Sequence, residues 1–335
     1  MIDISTIEYD AELLTESGAR YNLNGALIEL QWEERMSELA QRATLTLANL
    51  AMGNTWLMNL AKLNCMLFIY GRWGGLNGRT PLFEGQIWDW QYSSETNKKL
   101  MVTAYDRLIY LQQSKDHKYY PAGMSTQNII SDICGDWGVP VSYEWDKSET
   151  HEKKVFNGAA ISDMIFELLE DTRQQSSEKY CAYWRGGKLL ICGRGTNGTV
   201  YKFDTANTVS TSDRHTMNNL VTRVKVIGQQ DDDSRAPVEA TEDGDTSFGV
   251  LQEIVRRDKD KSLDAAKADA RTMLKDRGQP ERDTQIEFPD LPFLRKGDLV
   301  EIAAGNLLEA FYVEGVSHNG TSRKMRLTLE RAAGA

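Results

Sequence analysis

Residues 83–107, FEGQIWDWQYSSETNKKLMVTAYDR, alternate apolar and polar side chains through two arms joined by a polar tip at 93–97. Residues 313–331, VEGVSHNGTSRKMRLTLER, repeat that grammar more than two hundred positions later. Alternation of period two puts one face of each arm in a core and the other in water, so each stretch reads as a β-hairpin. The likeness extends upstream. CMLFIYG (65–71) corresponds to DLVEIAAG (298–305), and each leads through a turn into a strand with Glu-Gly, LFEGQI or YVEGVS. This pairs Glu84-Gly85 with Glu314-Gly315, while the closing arms pair Lys99 with Lys324 and Thr103 with Thr328. Any two amphipathic hairpins share alternation; the order strand–turn–strand–tip–strand at both ends is what supports an internal duplication.

Between the ends the grammar changes. Before it, RATLTLANL (42–50) alternates with Ala43, Leu45 and Leu47 on one face, and the strands up to about residue 112 predict a β barrel or sandwich. From 113 to 200 a small α+β module is expected. Ser125 and Thr126 cap a helix carrying Ile129, Ile130 and Ile133; residues 161–176 form a second amphipathic helix, and 180–193 a hairpin closed by Gly186-Gly187. From 201 to 335 the chain returns to strands. An acidic stretch at 231–245 reads as a loop, and one helix runs over about 262–277, with Ser262 as N-cap and Gly278 ending it. The expected fold is therefore α+β, mainly β, with modules at 1–112, 113–200 and 201–335.

The 335 residues are 41% hydrophobic and 26% charged, enough for two or three cored domains. The longest apolar stretch, CMLFIY at 65–70, has the length of a strand and falls far short of a bilayer span. MIDISTIEYD has neither a basic start nor an apolar core, so a cytoplasmic, soluble product without a signal peptide is expected. The net charge of -10 without a basic stripe argues against nucleic-acid binding, which needs Lys and Arg gathered against phosphates. Cys65, Cys134, Cys181 and Cys192 are scattered without a Cys-x-x-Cys, and read as reduced, buried thiols.

The motifs that look chemical fail on their surroundings. GRGTNG (193–198) matches a dinucleotide fingerprint, yet TVYKFD follows where a helix must open. A calcium loop placed on Asp243 and Asp245 would put Phe248 at the obligatory glycine and Ile254 at the bidentate Glu. His117, His151, His215 and His318 lie in different modules, and Glu167, Glu170 and Asp171 sit on the polar side of a helix. No catalytic, cofactor-binding or metal-binding residue is assigned. Trp88, Trp90 and Tyr92, two apart, read as one core-facing stripe, or alternatively as an anchor for a neighbouring subunit.

YYPAGMSTQNIISDICGDWGVPV, DRHTMNNLVTRVKVIG, FGVLQEIV and LPFLRKGDLVEIAAGNL, in this order, resemble the XkdQ family of baseplate hub proteins of PBSX-like prophage tails. That family is similar in architecture to the hub of contractile tails and to the N-terminal part of type VI spike proteins. The resemblance is strong over roughly 100–335; residues 1–99 match in layout. It implies two tail-tube-like β-barrel domains flanking the α+β domain, in a homotrimer whose six barrels join a six-fold tail tube to a three-fold spike. It also implies other baseplate partners (LysM-bearing and wedge components), assembly in the bacterial host cytoplasm into a virion or tail-like bacteriocin, and no membrane insertion. DNA would pass through the lumen without specific binding, and an acidic lumen wall is expected from the net charge. A tail-associated cell-wall hydrolase or glycan-binding module, and a plain cytoplasmic monomer, stay open as other readings of the residues.

Overall fold

A computed structural model describes residues 6–73, 78–94, 98–145, 149–206, 208–229, 236–259, 261–305 and 307–332. The turn residues at 74–77, the hairpin tip at 95–97 and the acids at 231–233 lie outside them. Twelve strands carry the fold, and they fall into two sets of six. The first set is β1 (Glu8–Leu14), β2 (Leu27–Arg35), β3 (Arg42–Ala48), β4 (Met66–Arg72), β5 (Thr80–Ser93) and β6 (Lys99–Tyr105). The second is β7 (Tyr201–Asp204), β8 (Ser210–Thr216), β9 (Glu281–Pro289), β10 (Leu299–Ala304), β11 (Leu307–Asn319) and β12 (Lys324–Arg331).

Both sets have the same neighbour order. The first reads β2–β3–β6–β5–β4–β1 and the second β8–β9–β12–β11–β10–β7, and a β11–β2 pairing joins them into one sheet of 13 strands completed by Arg20–Asn22. Chain order is also the same, so each strand of one set has a counterpart six labels on. The sets differ at one end, where β1 runs antiparallel to β4 but β7 runs parallel to β10. Among the described residues neither set closes on itself as a ring of hydrogen bonds.

Ladder geometry fixes which residues correspond. In β5 a bulge lies between Ile87 and Asp89, and in β11 between Val313 and Gly315. At the same point the preceding strand ends. Ile87 exchanges backbone bonds with Cys65 (2.8 Å) and Asn64 (2.9 Å), and Val313 with Asp298 (2.9 Å) and Gly297 (2.8 Å). Lys98 and Arg323, just before the last strands, both have positive φ (50° and 54°), and their carbonyls accept from Asn49 and Asp290, each at 3.0 Å. Lys99/Lys324 and Thr103/Thr328 therefore correspond as their alternation predicts, with Leu100, Val102 and Ala104 matching buried Met325, Leu327 and Leu329.

The Glu-Gly pairing does not survive. Ile87 matches Val313, so Glu314-Gly315 corresponds to Trp88-Asp89, four residues beyond Glu84-Gly85. Each glycine answers a local approach instead: a Cβ on Gly85 would meet the Tyr105 carbonyl at 2.3 Å, and one on Gly315 the Glu34 carbonyl at 3.3 Å. The same bulge corrects the aromatic stripe. Trp90 and Tyr92 pack against the first set's core, but the extra residue turns Trp88 out, 40% exposed, against the edges of Tyr105 and Tyr110.

Residues between the sets bury a separate cluster. Helices Thr126–Asp136 and Ile161–Ser176 bring Ile129, Ile130, Ile133, Met164, Ile165 and Leu168 against the sheet Val141–Glu144, Lys188–Gly193, Tyr180–Arg185. Ser125 accepts from the Asn128 amide, satisfying one of the first helix's free donors. Gly186 and Gly187 both take positive φ, as a two-residue hairpin turn requires.

The chain divides into two compact units, residues 1–211 with 285–335, and residues 212–284. The second begins within β8 and ends within β9, where the first set has only the turn at 36–41. Its core is Val221, Val224, Val226, Ala266 and Ala270, with helix Leu263–Arg277 against a three-stranded sheet centred on Arg223–Ile227. One sheet strand, Val238–Asp243, overturns the loop reading of the later part of 231–245. Its acids are held by bases distant in sequence: Glu239 by Arg257 (2.6 Å), Glu242 by Arg271 (3.0 Å) and Asp243 by Arg223 (2.5 Å).

Candidate functional site at the seam between the strand sets

The β11–β2 pairing is where the two halves of the chain become one sheet. Gly315, Val316, Ser317, His318 and Asn319 pair with Arg35, Glu34, Glu33, Trp32 and Gln31. The ladder ends in bonds from Met36 N to Glu314 O (2.8 Å) and from Gly320 N to Leu30 O (2.9 Å). Glu314–Asn319 thus belongs to a strand bonded on both edges, by β12 and by β2.

Buried charge locks this seam. Glu34, 2% exposed, pairs with Arg295, whose guanidinium stacks over the Tyr183 ring at 4.4 Å. Lys296 is equally buried and donates to the carbonyls of Arg35 (3.3 Å), Glu38 (2.6 Å) and Leu39 (3.3 Å), so one ammonium satisfies the turn between β2 and β3. Burial alone would raise the Glu34 carboxyl, yet Arg295, Lys296 and His318 together hold it below its usual value. Burial depresses the Lys296 ammonium against the pull of Glu34 and Asp106. Asp106 is pushed up to about 7 by burial, although the amides of Gln41 (3.0 Å) and Leu108 (2.9 Å) bond to it.

His318 crosses from β11 into the same layer. Its ring stacks on Trp32 at 4.8 Å, Nδ1 lies 2.6 Å from Asp290 Oδ1 and Nε2 3.2 Å from the Leu294 carbonyl. Tyr9 donates to the other Asp290 oxygen, and burial with the Asp290 charge raises its phenol. A second lock surrounds Arg194, which pairs with Glu314 and Glu330 (2.7 Å) and lies over the Tyr312 ring at 5.1 Å; Lys179 also reaches Glu330. Burial opposes ionisation of Glu330, but bonds from Glu314 and Lys179, with Arg194 beside it, hold its carboxyl down at about 2.

The sheet face over the seam is polar and charge-compensated. Glu287 pairs with Lys324 (2.9 Å) and Arg326 (3.6 Å), and Glu33 with Arg35 (3.3 Å) and Arg42. Thr44 stands opposite Thr103, and Thr328 opposite Gly315.

The other sequence candidates do not converge here. In GRGTNG, Gly195 (φ 75°) donates to the Gly297 carbonyl at 2.8 Å, and Asn197 holds Leu299 through bonds of 2.7 and 3.0 Å; the loop docks onto the start of β10. Asp245 accepts from the Ser247 amide. His151 is buried against Thr126 (2.8 Å) and Asp171 (3.4 Å), His117 faces Asn157 and His215 faces Asp213. Glu167 and Asp171 pair with Lys154, and Glu170 with Arg173. All four cysteines are free and buried; Cys181 and Cys192 face each other across a hairpin, Sγ to Sγ 3.3 Å. Among the described residues no three His, Cys, Asp or Glu are grouped to hold a metal ion, and no helix is long and apolar enough to cross a membrane. Local sequence did not reveal Glu34, Asp106, Arg295, Lys296 and His318, because their partners lie in other strands. An Arg-Lys-Gly-Asp turn looks solvent-exposed until the opposite set is placed over it.

The fold is similar to that of solved phage tail proteins. The 43 kDa tail protein of prophage MuSo2 from Shewanella oneidensis superposes with a TM-score of 0.71 at 13% identity, covering 97% of this chain and 98% of that one. The tail protein from Neisseria meningitidis MC58 does so with a TM-score of 0.68 at 11% identity, covering 98% and 97%. A chain of the Francisella PdpA–VgrG complex matches with a TM-score of 0.59 at 12% identity, over 98% of this chain and 58% of its own. The chain belongs to the YQBQ-like family, whose model matches residues 71–330. Among Bacillus subtilis (strain 168) relatives, the phage-like element PBSX protein XkdQ is 24% identical over 247 residues, 69% of this chain and 72% of XkdQ. The uncharacterized protein YqbQ is 27% identical over 164 residues, 45% of this chain and 47% of YqbQ, so this match spans about half of that relative.

Proposed function

We propose that the chain is a structural component of a phage-tail baseplate, a hub whose three copies form a ring of six near-equivalent strand sets. One face of the ring would meet the six-fold tail tube and the other a three-fold spike. The observation that carries this reading is the shared neighbour order of the two sets within one sheet, since a three-fold ring presents six similar surfaces only if each chain supplies two. Residues 1–112 and 201–335 would be tube-like barrels completed on assembly, with 113–200 turned toward the spike and other baseplate proteins. The tail-protein relatives and neighbours support the reading by analogy, because fold alone does not give function. With no basic stripe and with paired acids and bases on the seam face, DNA would slide past without being held. The test is a copy count in purified tails or tail-like particles: three copies per particle are expected, and six or one would overturn the hub reading.

A further inference from the structure

We infer that Asp89–Ser93 of β5 is the docking edge for β8 of a second copy of this chain, with the β11–β2 seam as its template. The inference rests on the ring reading and adds which strands would meet.

Gly315–Asn319 is bonded to β12 on one side and to β2 on the other. Its counterpart, placed by the shared bulge and the shared ends of β4 and β10, is Asp89–Ser93. That segment pairs with β6 on one side, and among the described residues no strand pairs with the other. In the seam the residues whose backbone points toward β2 alternate from Glu314 to Gly320, which corresponds to Trp88, Trp90, Tyr92 and Ser94. The amide of Trp90 does point away from β6: it donates to Asp89 Oδ1 at 2.9 Å. An edge strand with open donors invites foreign pairing, and a carboxylate folded over one of them blunts it until the proper strand arrives.

The occupant follows from the same equivalence. In the first set β2 uses one edge for β3 and the other for β11; its counterpart β8 has β9 on one edge and, among the described residues, nothing on the other. Its side chains are exposed at five of its seven positions. Each copy thus carries one open β5 edge and one open β8 edge, the counterparts of the two strands that meet in the seam. Pairing them head to tail continues the sheet from copy to copy, alternating internal and intermolecular junctions of one type. A contact of two different surfaces extends until it closes, and a three-copy ring closes it.

The test co-expresses two full-length variants in a host that assembles the particle. Gln91→Cys is combined in turn with Ser210→Cys, Ser212→Cys and Arg214→Cys, and purified particles are oxidised. The expected result is a dimer-sized, reducible band from at least one mixed pair and none from any variant alone. Asp89→Ala, which removes the guard, should lower several-fold the protein concentration at which the free chain self-associates. Three copies per particle with no cross-link at any of the three positions would overturn the edge assignment while leaving the ring intact. One copy per particle would overturn both.

Discussion

The seam segment Gly315–Asn319 and the edge segment Asp89–Ser93 share a ladder, a bulge and a place in their sets, yet their chemistry differs. The seam carries Glu314, half-buried, paired with the buried Arg194, and His318 between Asp290 and Trp32. The edge has Trp88 and Tyr92 at those places, with Asp89 bonded to the neighbouring amide. Backbone geometry is common to both halves; buried charge was added only where the partner is permanently attached. Buried ion pairs contribute little net stability but select one arrangement, because any other strands a charge in the core. A seam fixed within the chain can be locked this way. An edge awaiting another chain has reason not to be, since its charges would stand unpaired beforehand.

The largest expected effect breaks the lock. Glu34→Ala leaves Arg295 and Lys296 without their carboxylate and should destabilise the 1–211/285–335 unit by about 3–5 kcal/mol in urea unfolding. Replacement of Asp89 by Ala at the edge should leave monomer stability unchanged within about 0.5 kcal/mol. Equal losses would mean that the seam is not specially held.

The next effect separates true from apparent correspondence. Gly85→Ala drives a Cβ into the Tyr105 carbonyl and should cost about 1–3 kcal/mol, while Gly315→Ala, with 3.3 Å available, should cost clearly less. Thermal melts showing equal losses would return Glu84-Gly85 and Glu314-Gly315 to equivalence.

The pH dependence of Asp106 and that of Glu330 have opposite signs. Asp106, raised to about 7 by burial, contributes stability that is complete below about 4, its unfolded range, and is lost as pH rises through 7. Glu330, held at about 2, contributes stability present above about 4.5 and lost as pH falls through 2. Urea midpoints across pH should show Asp106→Asn flattening the decline between 4 and 7, and Glu330→Gln the decline between 4.5 and 2. Asp298, pushed by burial to about 6, leaves a residual slope in the first window. The smallest effect is shared: Lys98→Gly and Arg323→Gly each relieve a left-handed residue and should stabilise by about 0.5 kcal/mol, alike in both sets.

Local periodicity made much of this fold legible. Helix Ile161–Ser176, strand Arg42–Ala48 and the Gly186-Gly187 turn all follow from spacing, because their burial depends on one face of one element. The strand Val238–Asp243 was not legible, since its acids are neutralised by Arg223, Arg257 and Arg271, each 18 or more residues away. Nor was the register between halves: two copies of Glu-Gly invited a match that only the paired bulges could correct. The seam residues were hidden for the same reason, because burial of Lys296 depends on carbonyls more than 250 positions upstream.

The central claim is that the two strand sets are interchangeable units of one ring. An electron cryo-microscopy map of the assembled baseplate tests it most directly. The expected map shows six strand sets at one radius, alternately joined by a β11–β2 seam and a β5–β8 contact between chains; sets at two different radii, or a copy number other than three, would contradict it.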